Sequence, residues 1–252
     1  SLIVLLLSML SLMATDFTRD LSPKLREEFM KINRENKDVT EKELMDKIGV
    51  WAKEKGMEKQ WAVEHELKRK EKSSLLRHLE NFEYGLVSTF NEIEGSMRDV
   101  KLTRQQIEMR VEKIFESRIG SAVVIRKIME EHRRSFDFDR QLASKDDIKK
   151  HIIHFSSFSV AFLDVILKRT KRSVQKVPEM LAKLSASIRD ESVTIDENGR
   201  KFEEMLESEK DDGAQLAVEM IFEMARMVAN EERKREEKQM KKNEKPLKRN
   251  NQ

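Results

Sequence analysis

Two acidic segments carry the side chains of this sequence that are best suited to bind a divalent cation. Their candidate ligands are, in chain order, Asp38, Glu41 and Glu43, followed by Asp190, Asp196 and Glu197. Carboxylate oxygens are the ligands that magnesium and calcium prefer. Each segment lies at a predicted helix start, where the helix dipole already favours negative charge and therefore competes with a cation. We expect any binding of magnesium or calcium to be weak and hydrated.

The second acidic segment does not read as an EF-hand loop, which needs oxygen ligands at positions 1, 3 and 5, glycine at position 6 and glutamate at position 12. When the loop is started at Asp190, position 6 is Ile195 and position 12 is Lys201. When it is started at Asp196, position 5 is Arg200. Solvated carboxylates that cap a helix are the better interpretation.

Other residue types that support catalysis are scarce. The chain has no cysteine and only 7 glycines, and it lacks the glycine-rich phosphate and dinucleotide patterns and the G-x-S-x-G motif. His151 and His154 lie one helical turn apart, but two ligands do not make a zinc site, so we place them beside a core face. We expect a protein that is not an enzyme.

Three threonines are predicted to begin helices. Each has Glu or Gln three residues later, the spacing of a capping box, and the pairs are Thr40 with Glu43, Thr103 with Gln106 and Thr194 with Glu197. Several residues recur around the last two pairs at a constant offset of 91 positions, which indicates an internal helix–short loop–helix repeat. Gly56 is a predicted helix end.

The composition predicts an all-α fold, a multi-helix bundle. Charged and hydrophobic residues each make up 38% of the chain, with only 3 prolines, and apolar residues recur at helical spacing. We predict two helical halves, near 20–135 and 144–230, with an interruption at Pro178. The polar run at 64–74 is expected to be exposed or bent, and the charged tail at 231–252 to be a solvated helix end that frays.

The first residues, SLIVLLLSMLSLMA, form an apolar run that is too short to cross a bilayer. We predict that residues 1–14 are a signal peptide ending at Ala14, with an uncleaved anchor or a core helix as alternatives. The mature protein would then be secreted, with no integral membrane span. Its net charge of +3 gives no clustered basic face for nucleic acid.

A family resemblance rests on the order of several motifs. They are the Leu21-Ser22-Pro23 helix start, the Thr40 helix with Trp51-Ala52-Lys53, and the run MRDVKLTRQQ at 97–106. Over residues 21–118 the chain resembles the nematode SXP/RAL secreted antigens, whose cation-binding domain is typified by an Anisakis allergen. The resemblance implies a secreted, all-helical, non-enzymatic protein at the host interface, with an associated divalent cation whose ligands it does not place on this chain.

Two other classes of function stay open at this stage. A helical lipid carrier would hold a lipid between helices lined by Phe, Leu and Met, in a concave apolar site. An intracellular helical scaffold would need a sustained heptad pattern beyond residues 75–97. The partner is accordingly an unidentified host or parasite protein, or a lipid.

Overall fold

The computed structural model describes residues 17–19, 21–36, 38–142 and 160–244. Eight helices form the described part, which contains no strand, so the all-α prediction is confirmed. They are α1 (Pro23–Glu35), α2 (Glu41–Glu54), α3 (Glu58–Met97), α4 (Arg104–Ser117), α5 (Ile119–Leu142), α6 (Val160–Arg189), α7 (Ile195–Ser208) and α8 (Asp212–Glu244). The predicted signal peptide, His151 and His154 lie outside the described residues.

The described residues form two compact units, each assembled from separated stretches of chain. The first unit contains the residues up to His78, Lys183–Ser208 and the residues from Ala225 on. The second unit contains Leu79–Ala182 and Glu209–Met224. The predicted halves at 20–135 and 144–230 therefore do not correspond to these units, and they remain a prediction about sequence organisation.

Aromatic side chains build the core of the first unit. Phe17 lies 5.7 Å from Phe29 and 5.5 Å from Trp61, measured between ring centroids, and Trp51 lies 5.8 Å from Phe29. All four rings are buried, and Leu44 and Ile48 of α2 pack with them. Such tilted and edge-to-face ring pairs add to the stabilisation that apolar burial provides.

Local signals set the boundaries of α1 and α2. Ser22 is the N-cap of α1 and Pro23 occupies its first turn, where a missing N–H costs nothing. After α2, Gly56 has a φ of +72°, a conformation that glycine adopts without a Cβ penalty. The chain can therefore turn there and begin α3 only two residues later.

Pro178 does not interrupt its helix, so that prediction was wrong. It lies inside α6, which continues for eleven residues beyond it to Arg189. Val174, Val177 and Leu181 are fully buried along one face of this helix. The packing of that face outweighs the one backbone hydrogen bond that proline removes.

Candidate functional site

The Thr40 loop is held closed by reciprocal hydrogen bonds. The Glu43 N–H donates to Thr40 Oγ1 at 3.2 Å, and the Thr40 N–H donates to Glu43 Oε2 at 2.9 Å. These bonds satisfy two backbone donors at the start of α2. The hydrogen bond from the Thr40 backbone is the main reason that the pKa of Glu43 is lowered.

The Thr194 loop repeats half of this arrangement. The Glu197 N–H donates to Thr194 Oγ1 at 3.2 Å, while Glu197 Oε1 pairs with Lys201 at 3.1 Å. Upstream, Asp190 Oδ1 accepts hydrogen bonds from the side chain and backbone of Ser192, which lower the pKa of Asp190. Asp190 and Glu197 are therefore engaged with the backbone and side chains of their own loop and helix.

The two loops pair with each other in the first unit. Thr40 and Thr194 form an isolated antiparallel bridge, so the α1–α2 and α6–α7 helix–loop–helix segments meet at their two N-cap residues. Val193 is buried beside the bridge, and Val39 packs against the aromatic core. The bridge thus joins equivalent positions of two like loops.

The six predicted cation ligands do not converge on one point. Within the described residues, no group of three or more His, Cys, Asp or Glu side chains is placed to hold a metal. Glu41 is paired with Lys72 at 2.7 Å, Glu43 closes the capping box, and Glu197 is paired with Lys201. Asp38 and Asp196 are exposed.

The Thr40 loop lacks the ligands of an EF-hand even when its capping glutamate is taken as position 12. In an EF-hand the bidentate glutamate at position 12 lies at the start of the second helix, which is where Glu43 lies. Counting back from Glu43 puts Ile32 at position 1 and Arg34 at position 3, neither of which offers a side-chain ligand. At position 5, the Asn36 side-chain oxygen accepts a hydrogen bond from Lys47.

The same register fails in the other paired loop. Counting back from Glu197 puts Ala186 at position 1, Ile188 at position 3, and Glu191 at the position that needs glycine. The residues present therefore do not fit the ligand pattern of an EF-hand calcium site in either loop. In the sequence, the EF-hand test of the second loop began at Asp190 or Asp196, and neither start places the capping glutamate at position 12.

The first unit also contains a buried ion-pair cluster that the sequence patterns did not predict. Arg233 of α8 is 3% exposed and contacts Glu64 of α3, which is 5% exposed, at 2.8 Å, and it reaches Glu71 at 3.2 Å. One turn along α3, the Lys68 ammonium has no hydrogen-bond partner among the described residues and lies 5.5 Å from the Trp61 ring. Burial lowers the pKa of Lys68 to about 8.

This cluster corrects two predictions. The polar run at 64–74 is not fully exposed, because Glu64, Lys68 and Ser74 are buried, and helix α3 is continuous through it. The start of the charged tail is not a solvated end either, because Arg233 is buried within α8. Glu64 and Lys68 are four residues apart in the sequence, but this spacing normally indicates an ion pair on an exposed helix face.

The second unit contains a polar cleft of about 650 Å³. Asp211 and His132 line this cleft, and both contact Ser173, which is fully buried. Ser173 Oγ donates to Asp211 Oδ1 at 2.6 Å and lies 2.8 Å from His132 Nε2. Because the single hydroxyl proton goes to the carboxylate, His132 must donate to the Ser173 oxygen. Burial lowers the pKa of His132.

Comparison with known proteins identifies the class to which this helical fold belongs. The family model for the metal-binding domain of SXP/RAL-2 family proteins, Ani s 5-like, matches residues 7–133. The chain belongs to the SXP/RAL-2 family, and the match extends beyond the 21–118 that the sequence motifs indicated. Searches of curated proteins and of solved structures gave no match. Among the described residues, no helix is long and apolar enough to cross a membrane.

Proposed function

We propose that this protein is a secreted, non-enzymatic binding protein of the nematode antigen type, in which the paired loops are a structural joint. Any divalent cation is bound weakly, through outward-facing oxygens that keep several waters. The engagement of the loop carboxylates carries this proposal. Glu43 accepts the capping hydrogen bond of Thr40 through Oε2, and Glu41 and Glu197 are paired with lysines.

The non-enzymatic part of the proposal is supported by the polar cleft of the second unit. A serine nucleophile needs a base that accepts its proton, normally a histidine. Here the Ser173 proton is directed to Asp211, and His132 donates to the hydroxyl oxygen. Ser173 is also fully buried, so its hydroxyl is poorly placed to reach a substrate.

Native mass spectrometry of the exported protein tests whether the leader is cleaved and whether the protein carries a bound lipid. We expect the mass of the polypeptide alone, with an N-terminus near Thr15 in the same preparation. A co-purifying fatty acid would favour the lipid-carrier alternative. A retained SLIVLLL segment would contradict cleavage of the leader.

Calorimetric titration with calcium and with magnesium tests the role of the loops. We expect dissociation constants well above the micromolar range. A dissociation constant below about 1 µM, which corresponds to a binding free energy near −8 kcal/mol, would show a specific site. The variant Asp196→Asn/Glu197→Gln should weaken any binding that is seen. Thr40→Ala is the matched control, because it removes a cap without removing a carboxylate.

A further inference from the structure

Helix α4 differs from the two other helices that begin at capping threonines. All three contain 14 residues. The two helices of the first unit bury their apolar faces, with Ile48 fully buried in α2 and Phe202 only 3% exposed in α7. In contrast, α4 has no buried residue. Its apolar side chains at Ile107, Val111 and Ile114 are only half-buried.

The loop that precedes α4 has the geometry of the paired loops but has no pairing partner in the part of the chain that the structure describes. Thr103 has φ −70° and ψ 159°, and Thr40 has φ −68° and ψ 159°. Thr103 also closes a complete capping box with Gln106. Thr40 is bridged to Thr194, whereas Thr103 takes part in no bridge within the described residues. Near the loop, Val100 is 96% exposed.

The charge on this surface suits a second copy of the chain. Between residues 104 and 118 there are four basic and three acidic side chains, so two copies do not repel each other. The same balance offers no attraction for nucleic acid or an anionic membrane, which need an excess of cations.

We propose that the Thr103 loop and helix α4 form a homodimer interface in which the two Thr103 loops pair antiparallel about a two-fold axis. The pairing inside the chain supplies the pattern, because the bridge joins the N-cap threonines of two like loops. Such a bridge has approximate two-fold symmetry already. Two identical loops can therefore form it with true two-fold symmetry, in which each copy uses the same surface.

Multi-angle light scattering and sedimentation equilibrium on the exported chain test the dimer. We expect a concentration-dependent dimer at up to about 100 µM protein, and a monomer throughout that range overturns the proposal. Val100→Asp should raise the dimer dissociation constant by about tenfold or more, because it places two like charges near the axis, three residues from each Thr103. The matched control is Val50→Asp, which changes a valine that is 61% exposed on α2. A dimer that responds to the control as strongly as to Val100→Asp also overturns the proposal.

Disulfide cross-linking locates the axis, since the chain has no cysteine of its own. Thr103→Cys should give a covalent dimer on mild oxidation, because opposed residues of an antiparallel pair lie within about 4.5–5.5 Å between Cα atoms, inside disulfide reach. Val50→Cys should remain monomeric under the same conditions. Equal cross-linking of the two variants would contradict the placement of the axis, and circular dichroism confirms that each variant is folded.

Discussion

Lys68 is predicted to destabilise the folded protein at neutral pH, and its removal should be measurable. Its ammonium is buried on α3 without a hydrogen-bond partner among the described residues, and burial lowers its pKa from 10.5 to about 8. At about 1.36 kcal/mol per pH unit, this difference corresponds to about 3 kcal/mol. The variant Lys68→Met keeps most of the side-chain volume while removing the charge.

The pH dependence follows from the direction of the shift. Because the folded pKa lies below the unfolded one, the unfolded chain binds more protons between pH 8 and pH 10.5. The free energy of unfolding contributed by this lysine therefore rises with pH across that window. Its cost is fully present below about pH 8.

Urea unfolding of the wild type and of Lys68→Met across this pH range is the assay. At pH 7 we expect the variant to be more stable, and the difference should shrink by about 3 kcal/mol by pH 10.5. Lys59→Met is the matched control, because Lys59 is exposed on the same helix. A difference between wild type and Lys68→Met that stays constant with pH would refute the placement of Lys68 in a desolvated site.

Three further substitutions have expected outcomes in the same unfolding assay. Thr40→Ala should lose about 1 kcal/mol through the lost cap, and no loss would mean that the capping box is not formed in solution. Arg233→Met should lower the free energy of unfolding by about 3–5 kcal/mol because Glu64 loses its buried ion-pair partner. Adding Glu64→Leu to this variant should recover most of the loss. No recovery would indicate that Arg233 acts only through packing. Gly95→Ala should gain about 0.5–1 kcal/mol, since Gly95 lies inside α3 with no atom near its missing Cβ, and a loss would indicate an unseen contact.

Local features were readable from the sequence because neighbouring residues determine them. The Ser22-Pro23 start of α1 and the glycine stop after α2 depend on side chains within a few positions of the helix ends. The apolar stripe of α3 was also readable, since Leu79, Leu86 and Ile93 recur at helical spacing and all are fully buried. Such features need no knowledge of the tertiary fold.

Features that depend on distant partners were not readable. Nothing beside Glu64 in the sequence indicates that Arg233, 169 positions away, would bury it. The continuation of α6 through Pro178 likewise depends on packing against other helices. The acidic candidate ligands remain a prediction, and the pairing of Glu41 was not readable because its partner Lys72 lies 31 positions away.

The stability of the protein with and without a divalent cation tests the central claim most directly. Urea unfolding should be compared in chelator and in about 1 mM calcium, where a site with a dissociation constant of about 1 µM would add about 4 kcal/mol to the free energy of unfolding. If the paired Thr40 and Thr194 loops are a structural joint that binds calcium no more tightly than about 100 µM, the two free energies should agree within about 1.5 kcal/mol. A rise of several kcal/mol in calcium would contradict the account and would show that these loops form a specific cation site.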